Sequence, residues 1–194
     1  YQPPPAVSSA DVPQAQGATS IYKDHKTVIS SDNRLFPEEG VYFTEPRLFE
    51  ILSLQLIEGN PAKALDGPFK MVITPEMARK YFGNEPPTGK TLTIDHEHTY
   101  EITGILKSLP EQSHLQIDFL ASLSSIRQTN ELAYKHWGYA SSYFYLKLHD
   151  GADPAEAGRV INSLFLEEKG EDAGKYVALK LQPLKKIYLY SNEL

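Results

Sequence analysis

The segment Gly83-Asn84-Glu85-Pro86-Pro87-Thr88-Gly89-Lys90-Thr91 invites a chemical reading first. Gly-Lys-Thr is the end of a P-loop, in which backbone amides cradle phosphate and the lysine reaches the terminal groups. That motif needs glycine at position 84, where asparagine stands. Pro86 and Pro87 also remove two amide donors from the stretch that should hold the phosphate. A P-loop runs from strand into helix, whereas here a helical pattern precedes and a strand pattern follows. The segment therefore reads as a helix-to-strand connection, stopped by Gly83 and turned by Gly89.

His96-Glu97-His98 could present two imidazoles on one face of a hairpin, as zinc ligands are presented. No third ligand stands at a fixed spacing, since His114 and His136 lie far along the chain, and an exposed polar turn explains the triplet better. No Gly-x-Ser-x-Gly elbow is present. His149-Asp150 fits a turn better than half of a triad. The carboxylate pairs Glu38-Glu39, Glu167-Glu168 and Glu171-Asp172 sit in polar segments and read as solvated faces. There are twelve tyrosines, and Tyr139, Tyr143 and Tyr145 share a period of two. They would line one face of a strand, as a binding surface or, the better fit, as a half-buried sheet face.

Composition narrows the classes further. The chain has 194 residues, 41% apolar and 23% charged, as in an ordinary globular protein. A chain of this length buries about 70% of its unfolded surface and needs no staples. It has no cysteine, which excludes disulfides, thiolate metal sites and a cysteine nucleophile. Its net charge of −6 gives no general attraction for nucleic acid or anionic lipid. No segment offers the roughly 20 apolar residues of a membrane span. No signal peptide opens the chain, and it does not begin with Met, so it is expected to be a piece of a longer protein.

The elements that must carry any function follow from pattern. Residues 1 to 20 read as a loose lead-in, with at most a helical turn before Gly17. Ile21–Ser31 reads as a strand, Asp32-Asn33 as a turn, and Arg34–Phe36 as a second short strand. Val41-Tyr42-Phe43 is a strand, after which Thr44 is expected to cap a helix bearing Pro46, Leu48, Phe49, Ile51 and Leu52. A break at Gly59-Asn60-Pro61 leads into one helical turn, and Lys70–Ile73 is a strand. Thr74-Pro75-Glu76 starts a helix, and Gly83 ends it. Thr91–Asp95 and Tyr100–Ile105 alternate as the arms of a hairpin. Leu115, Ile117 and Phe119 suggest a strand, with helix possible over 120–132. Ser142–Leu148 is an aromatic strand. Asp153, Pro154 and Glu156 open a helix with Ala157, Val160, Ile161, Leu164 and Phe165 on one face. Tyr176–Leu181 is expected to return as a strand, giving strand–helix–strand over 142–182. The sum is an α+β fold with more strand than helix.

Several segments in order resemble the periplasmic core domain of MacB-like (FtsX-like) ABC transporter permeases. They are Phe49–Pro61 after Val41-Tyr42-Phe43, Val72–Gly83 with Pro87-Thr88-Gly89-Lys90, Tyr100–Ile105, Pro110–His114, and Asp118-Phe119-Leu120. Leu146-Lys147-Leu148 with Gly151–Pro154, and Leu181–Leu184 with Ile187-Tyr188-Leu189, complete the set. The resemblance spans roughly residues 35 to 192. It implies a porter-like βαβ subdomain from residues 1–40 and 115–194, with a mixed sabre-like subdomain, 41–114, inserted. It implies a non-catalytic extracytoplasmic domain that transmits conformational change, and ATP hydrolysis on a separate cytoplasmic subunit or domain. Expected partners are a second permease subunit, the ATPase, and a periplasmic adaptor or a lipoprotein or peptide cargo. No cofactor, metal or nucleic acid is expected, and no catalytic residue is nominated. A stand-alone extracytoplasmic binding or adhesion module is the other reading. A hydrolase whose residues converge only in space is a third.

Overall fold

The computed structural model describes residues 10–24, 27–31, 34–129, 142–176 and 179–187. Among these described residues, ten strands join in a single mixed sheet. In chain order they are β1 (Ala15–Asp24), β2 (Thr27–Ser31), β3 (Arg34–Glu38), β4 (Val41–Thr44) and β5 (Leu56–Glu58). Then come β6 (Lys70–Ile73), β7 (Thr91–Ile94), β8 (His98–Leu106), β9 (Phe119–Ser122) and β10 (Ser142–Leu148). The α-helices among the described residues are α1 (Arg47–Ile51), α2 (Pro75–Phe82), α3 (Leu123–Thr129) and α4 (Pro154–Lys169). The strand order is β10-β1-β4-β9-β6-β8-β7-β2-β3, with β5 paired to β8. Most pairs are antiparallel, while β4–β9 and β6–β8 are parallel.

The central strands are short apolar runs because both of their faces are covered. Alternate residues divide between two layers of core. Val41, Phe43, Met71, Ile73, Phe119 and Ala121 meet α2 and α3 through Met77, Ala78 and Ile126. Tyr42, Val72 and Leu120 face the other way, onto Leu48 and Phe49 of α1 and onto Leu65, Leu115 and Ile117. At the β10 end, Ala157 and Ile161 of α4 pack against Val12, Ala15, Phe144 and Leu146. Phe119 and Phe165 are fully buried, each worth about 2–3 kcal/mol relative to exposure.

Several expectations meet the structure directly. The Thr74 hydroxyl caps α2 by accepting the Met77 N–H at 3.4 Å, and Gly83 ends the helix at φ 63°. Asp153 caps α4 by accepting from the Ala155 N–H at 2.9 Å, while Glu156 pairs with Arg159 and does not close a capping box. The β7–β8 hairpin turns through Asp95 and His96, both with positive φ. Asn60 organises one turn at 60–64, its carbonyl accepting from Lys63 and Ala64. Gly104 has no room for a side chain: a Cβ would stand 2.7 Å from the Glu58 carbonyl oxygen, so β5 can lie close against β8.

Other expectations are corrected. The lead-in is a strand from Ala15 onward, held by β10 on one side and β4 on the other. The expected strand over 21–31 is two strands, and Asp32-Asn33 lies outside the described residues. Thr44 caps nothing, because its hydroxyl donates to the Ser20 carbonyl at 2.7 Å. Pro46 occupies the cap position of α1 without a side-chain bond. Leu115 and Ile117 are buried in an irregular segment, and the strand begins at Phe119. The second strand of the 142–182 unit does not form among the described residues of 176–182. Asn162 on α4 takes both backbone groups of Leu179, donating to its carbonyl at 2.6 Å and accepting its N–H at 2.8 Å. A side-chain amide thus stands where a strand ladder would be. A 3₁₀ turn, Glu171–Lys175, follows α4.

Pro37 sits in β3, an end strand of the sheet, opposite Val28.

Candidate functional site

Two clusters of polar and aromatic groups stand out. The first joins β3, α2 and the segment before β9. Glu38 is buried, contrary to the solvated face expected of it, because Lys80 and Tyr81 of α2 meet it. Its carboxylate accepts from Lys80 Nζ at 2.6 Å and from the Tyr81 hydroxyl at 2.5 Å. Phe36 completes the cluster, its ring edge-on to Tyr81 at 5.1 Å with Lys80 Nζ 5.4 Å from its centre. Burial and the hydrogen bond to Glu38 push the Tyr81 phenol far above its ordinary range, so it stays protonated. Asp118 lies beside this group. Burial raises its carboxyl above the usual carboxylate range, and Glu38 adds to the effect. Gly40 permits that approach, since a Cβ there would stand 2.4 Å from Asp118 Oδ2.

The second cluster lies on the opposite face, near β10. His114 Nε2 is 2.7 Å from the Tyr145 hydroxyl. The Tyr143 and Tyr145 rings stack at 6.4 Å, and His114 sits edge-on to both. Burial lowers the His114 pKa below its ordinary value. Tyr145 is buried and Tyr143 is 46% exposed, so the aromatic strand face is half-buried, as its alternation suggested. Tyr139 lies outside the described residues.

In both clusters the polar groups are committed to one another. Glu38 is held by two donors, and the His114 ring nitrogen faces a phenol that burial keeps protonated. The P-loop look-alike is accounted for in the same way. The Gly89 N–H donates to the Ile102 carbonyl and the Lys90 N–H to the Pro87 carbonyl. The Lys90 ammonium pairs with Glu85 and lies 5.2 Å from the centre of the Phe82 ring. His96 and Glu97 are exposed at the hairpin tip, and His98 lies against Phe69 at 5.9 Å. Among the described residues no three His, Cys, Asp or Glu side chains gather as a metal site. His149 is exposed; its backbone N–H donates to the Gln14 carbonyl and its carbonyl accepts from the Ala152 N–H. Glu171 and Asp172 are exposed, as expected. His136 lies outside the described residues.

An open groove of about 720 Å³ runs between α4 and the segment 179–181, lined by Pro154, Gly158, Arg159, Asn162, Leu179 and Leu181. Of its polar lining, Asn162 is bonded to Leu179, Arg159 pairs with Glu156, the Ser163 hydroxyl donates to the Arg159 carbonyl, and Lys180 is exposed. Among the described residues no helix is long and apolar enough to cross a membrane.

This architecture is shared with solved domains of permease and transporter proteins. A domain assigned to a permease of Porphyromonas gingivalis superposes with a TM-score of 0.70 at 20% identity, over 97% of this chain and 86% of that one. The periplasmic region of MacB from Actinobacillus actinomycetemcomitans gives 0.68 at 14%, over 97% and 84%. The extracellular domain of the noncanonical ABC-type transporter YknZ from Gram-positive bacteria gives 0.62 at 13%, over 84% of each. No curated protein matches the sequence. The chain belongs to the MacB-like periplasmic core domain family, whose description fits residues 2–164. It is a periplasmic domain of a MacB-like ABC transporter permease. The family match starts well before residue 35, so β1 and β2 lie within it, and it ends inside α4.

Proposed function

We propose that this domain makes and breaks no bonds and acts as a stiff part that passes on the movement of the permease helices. Closure of the ATPase in the cytoplasm would shift those helices, and the domain would follow as a body. The observation that carries this reading is the unbroken strand path from β10 to β3, with core packed on both faces. A device of this kind needs stiff elements and a bistable interface, and no catalytic cluster.

In this proposal residues 1–40 and 115–194 form the porter-like part, and 41–114 the inserted sabre-like part. β1, β10 and α4 gather at one end of the sheet, and β6, β7 and β8 lie toward the other. The β2–β3 hairpin reaches across to pair with β7. The partners would be a second permease subunit and a periplasmic adaptor, or a lipoprotein or peptide cargo, with the permease in the inner membrane.

The domain has no cysteine, so any thiol label it carries sits only where one is introduced. In the full-length permease reconstituted with its ATPase, spin labels at His96→Cys and Ser163→Cys measure the length of one domain. That length should stay constant between nucleotide-free and nucleotide-trapped states, while the distance between the His96→Cys labels of two subunits changes. A domain that changes length, or subunits that keep their distance during turnover, would overturn the proposal.

A further inference from the structure

The end of the described chain runs against the charge of the rest. From Lys175 to Ile187 the sequence holds four lysines and no acid, on a chain of net charge −6. Apolar side chains are exposed beside those lysines. Tyr176 is 85% exposed, Leu184 45% and Leu181 37%. Lys180 and Lys185 are exposed as well. Two acids of the same region are engaged locally: Asp172 accepts from Lys175 at 2.5 Å, and Glu156 pairs with Arg159. Glu171 stays exposed.

We propose that this stretch rests on a bilayer surface rich in anionic phospholipid. Lys180 and Lys185 would meet headgroup phosphates, and Tyr176, Leu181 and Leu184 would enter the headgroup boundary. Charge complementarity argues for this occupant, because clustered lysines are attracted to an anionic lipid surface. The interleaving of the two residue types argues for it too. Lysine stems and tyrosine rings bridge apolar and wet layers, and interfacial binding combines apolar burial with attraction to anionic lipid. An acidic protein surface would use the lysines and leave the leucines without a role. The negative charge of the rest of the chain is repelled by the same leaflet, so the domain would approach by this end.

The test sediments the 194-residue chain with vesicles of phosphatidylcholine, alone or with about one-third phosphatidylglycerol. Binding is expected only with phosphatidylglycerol, and it should weaken with salt. Lys180→Glu with Lys185→Glu should reduce it at least about tenfold. Leu181→Ser with Leu184→Ser should reduce it as well, with circular dichroism unchanged in both variants. No phosphatidylglycerol-dependent binding, or equal binding by the lysine variant, would overturn the proposal. So would equal affinity for soluble polyglutamate with no effect of the leucines, which would point to an acidic protein instead. The assay needs no ATPase, so its failure leaves the transmission reading standing.

Discussion

The carboxylate of Glu38 on β3 lies 2.5 Å from the phenol oxygen of Tyr81 on α2, and Lys80 shares the same oxygen at 2.6 Å. One buried acid therefore ties the end of the sheet to a helix 42 and 43 positions further along. Removing Glu38 leaves the buried Tyr81 phenol without its acceptor, whereas the Lys80 side chain, 37% exposed, keeps water as a partner. Glu38→Ala should lower stability by about 1–3 kcal/mol, and Tyr81→Phe by about 1–2 kcal/mol. Urea unfolding gives both values. A loss under about 0.5 kcal/mol for Glu38→Ala, the usual range of a surface change, would show that the pair holds nothing.

Asp118 works against the folded state at neutral pH. Burial raises its carboxyl above its ordinary value of 3.8, so the folded protein takes up the proton first. Its favourable contribution is present below 3.8 and is lost as pH rises through the raised folded value. Asp118→Asn should therefore unfold at higher urea than the parent at pH 7, and the advantage should vanish under acid conditions. Gly40→Ala should cost about 1–3 kcal/mol by forcing a methyl group into the Asp118 carboxyl. Combining it with Asp118→Gly should recover most of that loss.

His114 imposes the opposite slope. Burial depresses its pKa below 6.5, so the unfolded chain binds the proton first. Stability is fully present above pH 6.5 and declines as pH falls through the lowered folded value. Urea midpoints between pH 7.5 and 5 should fall for the parent and less for His114→Gln (about one pH unit either side of the histidine range). Tyr145→Phe removes the 2.7 Å contact and should cost about 1 kcal/mol. Parallel pH profiles for the parent and His114→Gln would dismiss this account.

Asn162 holds the segment after α4 through two hydrogen bonds to Leu179. Asn162→Ala should free that segment while leaving the sheet intact, because local opening draws on few buried contacts. Trypsin should cut after Lys175 and Lys180 faster, with the urea midpoint nearly unchanged. An unchanged cleavage rate would mean that the amide clamp is incidental.

How much of this was legible in the sequence depends on where each element finds its partners. α4 shows in the spacing of Ala157, Ile161 and Phe165, and α2 in Thr74-Pro75, because those signals are local. The β7–β8 hairpin shows because both arms alternate over a short turn. β1 does not show: Ala15-Gln16-Gly17-Ala18 has little strand character, and its pairing with β4 and β10 imposes the conformation. Thr44 and Tyr176–Leu181 misled for a shared reason. Distant groups claimed their hydrogen bonds, the Ser20 carbonyl in one case and the Asn162 amide in the other. Glu38 looked solvated because the groups that bury it lie some forty positions away, with no mark beside Glu38 to announce them. His114 and Tyr145 are likewise brought together only by the fold.

Pro37 carries a consequence for crowding. It lies on an outermost rim of the sheet and lacks the amide hydrogen that a visiting strand would need there. Neighbouring copies packed side by side in the envelope cannot zip onto that rim in register. Growth of cross-β stacks is thereby discouraged at this border of the molecule.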